Sequence, residues 1–67
     1  MTVGEKIRKF RKAKGWTQQQ LADALGVKQP MIGQYENGKR NPKIETAKGI
    51  AKALGVSFTD LINTEED

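Results

Sequence analysis

The chain has 67 residues, a formal net charge of +4 at pH 7, and neither cysteine nor histidine. This length allows one small domain, close to the lower limit at which an apolar core holds without a disulfide or a metal. The missing thiols and imidazoles exclude the common zinc sites, cysteine nucleophiles and histidine bases, so we expect a binding domain without metal or cofactor and not an enzyme.

The first predicted helix extends from Val3 to Lys14. Val3, Ile7 and Phe10 recur at the three-to-four-residue spacing of one helix face, and Gly15 follows as a stop signal. Six of the 12 basic residues of the chain lie in this helix. It therefore has one apolar face and carries half of the positive charge.

A second helix is predicted to begin directly after Thr17. Thr17 is a favoured N-cap, Gln20 three residues later completes a capping box, and Trp16 and Leu21 have the spacing of a hydrophobic staple. Gly26 is the residue type that ends helices in a left-handed conformation. These local signals predict a short helix with a defined start and stop.

A third helix is predicted to begin within two residues of Gly26. Its entry signal is weak because Lys28 is a poor N-cap, although Pro30 is tolerated in a first helical turn. Asn37 and Gly38 end this helix. The second and third helices are thus separated by a tight turn.

The third helix has an unusually polar outer face. Ile32 and Tyr35 mark its inward side. The opposite side carries Lys28, Gln29, Gly33, Gln34 and Asn37. Glutamine and asparagine can donate and accept at once, as the N6/N7 edge of adenine requires in the major groove. Two short helices of this kind are typical of a DNA-binding helix-turn-helix.

A fourth helix is predicted after the extended Asn41-Pro42 step, from about Ile44 to Leu54, with Gly55 as its stop. Its inward face is predicted to contain Ile44, Ala47, Ile50, Ala51 and Leu54. No strand signal is present anywhere in the chain.

A short fifth helix is predicted to end at about Asn63. Ser57 and Asp60 have the spacing of a second capping box, and Val56 and Leu61 that of a second staple. The sequence therefore predicts an all-α bundle of five short helices over residues 1–63, which is followed by an acidic C-terminal tail over residues 64–67.

Apart from Glu65, Glu66 and Asp67, the chain has 12 basic and five acidic side chains. This excess predicts a polyanion as partner. The alternative is that these basic side chains are only solvated on the helix surfaces and bind no partner. No apolar run approaches the roughly 20 residues that span a bilayer, and the N-terminus lacks the apolar segment of a signal peptide. We therefore expect a soluble cytoplasmic protein without membrane contact.

Four sequence segments together resemble a known family. They are IRKFRKAKGWTQQQLADALGV, the inward Ile32, YENGKRNP and IAKALGVSFTDLI. On these residues the chain is similar to the Cro and lambda-repressor type helix-turn-helix domains, also called the XRE family, from about Glu5 to Ile62. The resemblance implies a compact five-helix bundle in which helices 2 and 3 form the helix-turn-helix, in agreement with the caps and periods above.

The resemblance implies base contacts from Gln29 and Gln34, and a base or backbone contact from Lys28. Pro30 stands where family members often have a hydrogen-bonding side chain, so it can offer only an apolar contact, for example to a thymine methyl group. Gly33 has no side chain to offer, and part of the specificity could then come from DNA shape. Plain solvation is the alternative for these polar residues.

Phosphate contacts are implied for Gln18, at the start of the second helix, and for the loop residues Asn37, Gly38, Lys39 and Arg40. Asn37 and Gly38 could at the same time cap the helix. Arg11 and Glu36 match a family pair that forms a structural ion pair.

The expected function is a sequence-specific double-stranded-DNA-binding transcriptional regulator, of the Cro-like repressor kind, with the third helix in the major groove. A homodimer on an inverted repeat is expected, since a single module buries only about 600 to 1,000 Å². The resemblance implies a dimer surface around Phe58, Leu61 and Ile62, with closure of the monomer core as the favoured alternative for Leu61. No small-molecule ligand is expected within this domain.

Two other functions remain open from the sequence. Some family members are protein-bridging coactivators or antitoxins, and a nonspecific nucleoid-type binder would rely on charge alone.

Overall fold

The computed structural model describes residues 1–63, and the acidic tail predicted at residues 64–67 lies outside the described residues. Over that range the chain forms α1 (Val3–Ala13), α2 (Gln18–Leu25), α3 (Gln29–Glu36), α4 (Ile44–Leu54) and α5 (Phe58–Ile62), with no strand. The predicted all-α bundle of five short helices is therefore confirmed. Within residues 1–63, no helix has both the length and the apolar character that crossing a membrane requires.

Side-chain caps explain where the first two helices begin. Gln20 N donates to Thr17 Oγ1 at 3.1 Å, and Thr17 N donates to Gln20 Oε1 at 2.8 Å. The predicted capping box is thus complete. An equivalent box, which we did not expect, joins Thr2 and Glu5 at the start of α1.

The start of α5 differs from the prediction in one bond. Asp60 N donates to Ser57 Oγ at 3.0 Å, as expected. The described residues show no return bond from Ser57 N to the Asp60 side chain. The second predicted box is therefore only half formed.

Each helix contributes one large, fully buried aliphatic side chain to a shared core. In chain order these are Ile7, Leu21, Ile32, Ile50 and Leu61, each with 0% of its surface exposed. Burial of such a side chain contributes roughly 1.5–3 kcal/mol. Leu61 thus lies inside the monomer core, as the alternative favoured for it predicts, and its side chain is not available as the implied dimer contact.

The prediction that Ile44 lies on the inward face of α4 is wrong. Ile44 is 67% exposed, whereas the four other predicted inward residues of α4 are buried. Ile44 is the first residue of α4, and a helical side chain points back over the preceding turn. That direction carries its side chain past the end of the core and onto the surface.

Helix α1 crosses the C-terminal end of α3 at Gly4 in direct backbone contact. A Cβ atom at Gly4 would lie 2.3 Å from Tyr35 O and 2.7 Å from Glu36 O, closer than side chains and carbonyl groups approach each other. Only glycine permits this crossing. The packing of α1 against the end of α3 therefore depends on a residue without a side chain.

We expect Gly4→Ala to lower the free energy of unfolding by about 2 to 3 kcal/mol, because one helix must move away from the other. Urea denaturation followed by the fluorescence of Trp16, the single tryptophan, measures this change. The matched control is Gly49→Ala, whose Cβ would lie 3.7 Å from Leu25 Cδ2, an ordinary contact. That control should gain up to about 1 kcal/mol from helix propensity. Equal stability of Gly4→Ala and the wild type would contradict the proposed constraint.

Candidate nucleic-acid interface

A three-residue turn joins α2 to α3, and Gly26 makes it possible. Gly26 has a φ of +72°, and Val27 N donates to Ala22 O at 3.0 Å, which closes the end of α2. Helix α3 then begins at Gln29, and Lys28 is its N-cap without a side-chain capping bond. This is the two-helix unit predicted from the sequence, with the weak entry to α3 also as expected.

The outward side of α3 is polar and carries little charge. Lys28, Pro30 and Gln34 are exposed, and Gln29 and Gly33 are half-buried. Pro30 and Gln34 are four residues apart and so lie on one line along the helix, while Gln29 and Gly33 lie on the next. Helix α3 thus offers two amide side chains and a proline ring on its outer surface.

A buried ion pair ties the end of α3 to α1. Arg11 Nε donates to Glu36 Oε2 at 2.6 Å and Arg11 Nη2 donates to Glu36 Oε1 at 3.0 Å, and the two side chains are 9% and 5% exposed. Arg11 Nη1 also donates to the carbonyl group of Trp16 at 2.8 Å. The ion pair implied by the resemblance is present, and it also holds the turn between α1 and α2.

Glu36 begins a chain of amide hydrogen bonds that runs to the first residue of α3. Gln18 Nε2 donates to Glu36 Oε1 at 3.2 Å, and Gln29 Nε2 donates to Gln18 Oε1 at 2.5 Å. Gln18 is also the first residue of α2, where backbone N–H groups have no partner within the helix. One Gln18 side-chain N–H and this helix terminus therefore remain available to an anion.

The loop after α3 is held against the helix by its own hydrogen bonds. Gly38 has a φ of +81°, Lys39 N donates to Asn37 Oδ1 at 3.0 Å, and Arg40 N donates to Gln34 O at 3.2 Å. The side chains of Lys39 and Arg40 are exposed. Two positive charges thus lie beside the amide face of α3 on an ordered backbone.

The residues predicted to contact bases or phosphates form one continuous surface, which we call the polar strip. It consists of Gln18, Lys28, Gln29, Pro30, Gln34, Asn37, Gly38, Lys39 and Arg40. Hydrogen bonds join its parts, since Gln18 is bonded to Gln29 and the backbone of Arg40 is bonded to Gln34. The structure therefore brings together the whole predicted set on α2, α3 and the following loop.

Three features near this surface were not predicted. Gly4 supports the end of α3, Glu36 accepts from Gln18, and the Arg40 guanidinium lies 3.8 Å from Met31 Sδ. Residue spacing carries no signal for any of them, because each depends on how separate segments pack. Among the described residues, no group of three acidic side chains could hold a metal ion.

A family model described as helix-turn-helix matches residues 7–61. The chain belongs to the helix-turn-helix family. One relative is the SPbeta prophage-derived uncharacterized HTH-type transcriptional regulator YonR of Bacillus subtilis (strain 168), which is 42% identical over 59 residues, or 88% of this chain and 54% of YonR. The helix-turn-helix chain thus spans about half the length of this relative. The uncharacterized regulator YazB of the same organism is 38% identical over 63 residues, or 94% of this chain and 91% of YazB.

The chain also has the same fold as a repressor of known structure. The crystal structure of the P22 c2 repressor protein in complex with synthetic operator 9T matches with a TM-score of 0.88 and 31% identity, over 97% of this chain and 98% of that one. These similarities confirm the resemblance to repressor-type helix-turn-helix domains.

Proposed function

We propose that this chain is a sequence-specific double-stranded-DNA-binding transcriptional regulator of the repressor kind, without enzymatic activity, acting at the nucleoid. One observation carries the proposal: α3 presents the outward amides of Gln29 and Gln34 beside the exposed charges of Lys39 and Arg40. The P22 c2 repressor, solved with a synthetic operator, supports it through its similarity over nearly the whole chain.

In this proposal, different residues of the polar strip provide affinity and selectivity. Lys39 and Arg40, with the N–H groups at the start of α2, bind phosphates and fix the register of the duplex. Gln29 and Gln34 contact base edges in the major groove, where an amide matches adenine. Pro30 contributes apolar contact only, so preference at its base pair is weak.

We also propose that the chain binds DNA as a homodimer, through an apolar groove of about 300 Å³ beside the polar strip. The groove is lined by Val3, Asn41, Pro42, Ile44, Ala47, Phe58 and Ile62. Ile44 is 67% and Ile62 is 41% exposed, so both side chains are available to a second copy of the chain. Asn41, which follows Arg40 in the chain, lines the groove, so the groove borders the loop that carries Lys39 and Arg40.

The test is selection from a randomised duplex pool near physiological salt, followed by sequencing of the bound DNA. An enriched inverted repeat whose half-site centres lie about 34 Å apart, one helical turn, would support a dimeric regulator. Sedimentation of the complex would report its stoichiometry, and one monomer per selected site would contradict the homodimer. Binding without enrichment that disappears with rising salt would favour a nonspecific binder instead.

Lys39→Ala should weaken binding to every sequence by a similar factor. In a homodimer it removes two phosphate contacts, so the slope of log affinity against log salt should become shallower by about 2. Titrations of one duplex at several salt concentrations measure the slope. Lys52→Ala is the control, since Lys52 is exposed on α4 beside a shallow depression against α2, outside the polar strip. An unchanged slope for Lys39→Ala would remove Lys39 from the interface.

The exposed groove also favours a second candidate, a protein-bridging coactivator or an antitoxin-type interaction module. The two functions differ in whether the polar strip is required, because both use the groove. Changes to Gln29 and Gln34 should leave partner binding intact in the second case, whereas they should abolish sequence preference in the first.

A further inference from the structure

The guanidinium group of Arg40 lies against a sulfur atom of α3. The backbone N of Arg40 donates to the carbonyl oxygen of Gln34 at 3.2 Å, which fixes the start of its side chain beside the helix. The side chain then reaches back to Met31, where Arg40 Nη1 donates to Met31 Sδ at 3.8 Å. A thioether is only a weak acceptor, so this contact leaves the other guanidinium N–H groups free to bind a phosphate. The charge of Arg40 is thus held beside α3 without being neutralised.

The same sulfur atom is placed where an oxidant can reach it. Met31 is half-buried, and its side chain packs against the core. Because Met31 Sδ contacts the exposed side chain of Arg40, the thioether end of Met31 lies at the surface and not inside the bundle. The 67 residues contain no cysteine and two methionines, so an oxidant of sulfur can act within them only at Met31 and Met1.

We propose that Met31 is a redox-sensitive modification site that controls the phosphate contact of Arg40. Hydrogen peroxide transfers one oxygen atom to Met31 Sδ: an S–O bond forms, the O–O bond breaks, the thioether loses two electrons to the peroxide, and water leaves. The sulfoxide oxygen is a strong acceptor directly beside the Arg40 guanidinium, so Arg40 donates to it and is withdrawn from DNA. This inference rests on the proposed function, in which Arg40 binds a phosphate.

Oxidation of Met31 should lower affinity and leave sequence preference unchanged. The amides of Gln29 and Gln34, which are proposed to select bases, keep their chemistry. Since each protomer of a homodimer loses one charged contact, affinity for the selected duplex and for a scrambled duplex should fall by the same factor, about 10-fold or more. The slope of log affinity against log salt should become shallower by about 2.

The test compares duplex binding before and after the protein is treated with hydrogen peroxide. Mass spectrometry of proteolytic peptides measures how much oxygen Met31 and Met1 have each gained. Met31→Leu is the matched control, because leucine has a similar volume and the variant keeps Met1 and Trp16. Its affinity should be the same before and after treatment. Methionine sulfoxide reductases, which remove the added oxygen, should restore the affinity of the treated wild type.

Arg40→Ala tests whether the effect passes through the guanidinium. This variant has already lost the phosphate contact, so oxidation of its Met31 should change neither its affinity nor its salt slope. Circular dichroism of the oxidised wild type should keep the helical signal, since the fold is expected to remain intact.

Four results would overturn this inference while the proposed function stands. They are an unchanged wild-type affinity after complete oxidation of Met31, an equal loss in Met31→Leu, an equal loss in Arg40→Ala, and a loss of helical signal on oxidation. An untreated wild-type protein that binds no duplex would overturn both the inference and the proposed function.

Discussion

The double change Gln29→Ala and Gln34→Ala is expected to abolish sequence preference while leaving nonspecific DNA binding almost unchanged. A well-formed contact between a glutamine amide and adenine contributes about 1–3 kcal/mol of discrimination, so the loss of two in each protomer should reduce the preference by about 30-fold or more per half-site. Nonspecific binding depends on charge, and Lys28, Lys39 and Arg40 are all retained. The measurement is the ratio of dissociation constants for the selected duplex and a scrambled duplex at fixed salt.

A control variant and the salt dependence of binding test this prediction further. Gln19→Ala removes an exposed amide from α2 outside the polar strip and should keep the full wild-type ratio. The salt dependence of the double variant should match that of the wild type, because no charge has changed. A ratio that survives the double change would show that other groups contact the bases.

The second large effect is expected at the buried ion pair. Glu36→Ala should lower the free energy of unfolding by about 3–5 kcal/mol, because the Arg11 guanidinium would remain inside the fold without its carboxylate. A chain of this length has a total stability of only about 3 to 10 kcal/mol, so the variant should be close to unfolding at room temperature. Urea denaturation followed by Trp16 fluorescence measures the loss.

The control for this effect removes both charges together. Arg11→Met combined with Glu36→Leu leaves no unpaired charge, and its stability should lie within about 1 kcal/mol of the wild type. The free energy of unfolding should therefore fall strongly when Glu36 is changed alone and only slightly when Arg11 is changed with it. A Glu36→Ala variant as stable as the wild type would mean that water already solvates Arg11.

The helix boundaries were predictable because their signals are local. The box between Thr17 and Gln20, and the glycines at residues 15, 26 and 55, act within a few positions of the helix ends that they define. Hydrophobic periodicity likewise placed Ile32 and Ile50 in the core. These features depend on the backbone of one segment, and the sequence of that segment contains the information.

Other parts could not be predicted because they depend on how distant segments meet. Periodicity assigns Ile44 to the inner face of α4 but does not say where the bundle ends, so its exposure was missed. The contact of Gly4 with α3 joins residues more than 30 positions apart and leaves no pattern in the sequence. The pairing of Arg11 with Glu36 was predicted from the resemblance alone. The bond from Gln18 to Glu36 was not predicted and was found only in the structure.

The shared core has a consequence for how heat would affect this protein. Helix α3 has only eight residues, too few to persist alone in water, and its Ile32 is enclosed with the fully buried side chains of the four other helices. A molecule that opens its core therefore loses the polar strip in the same step. If the chain binds DNA as proposed, warming would release the duplex at constant protein concentration, and added duplex would raise the melting temperature of the domain.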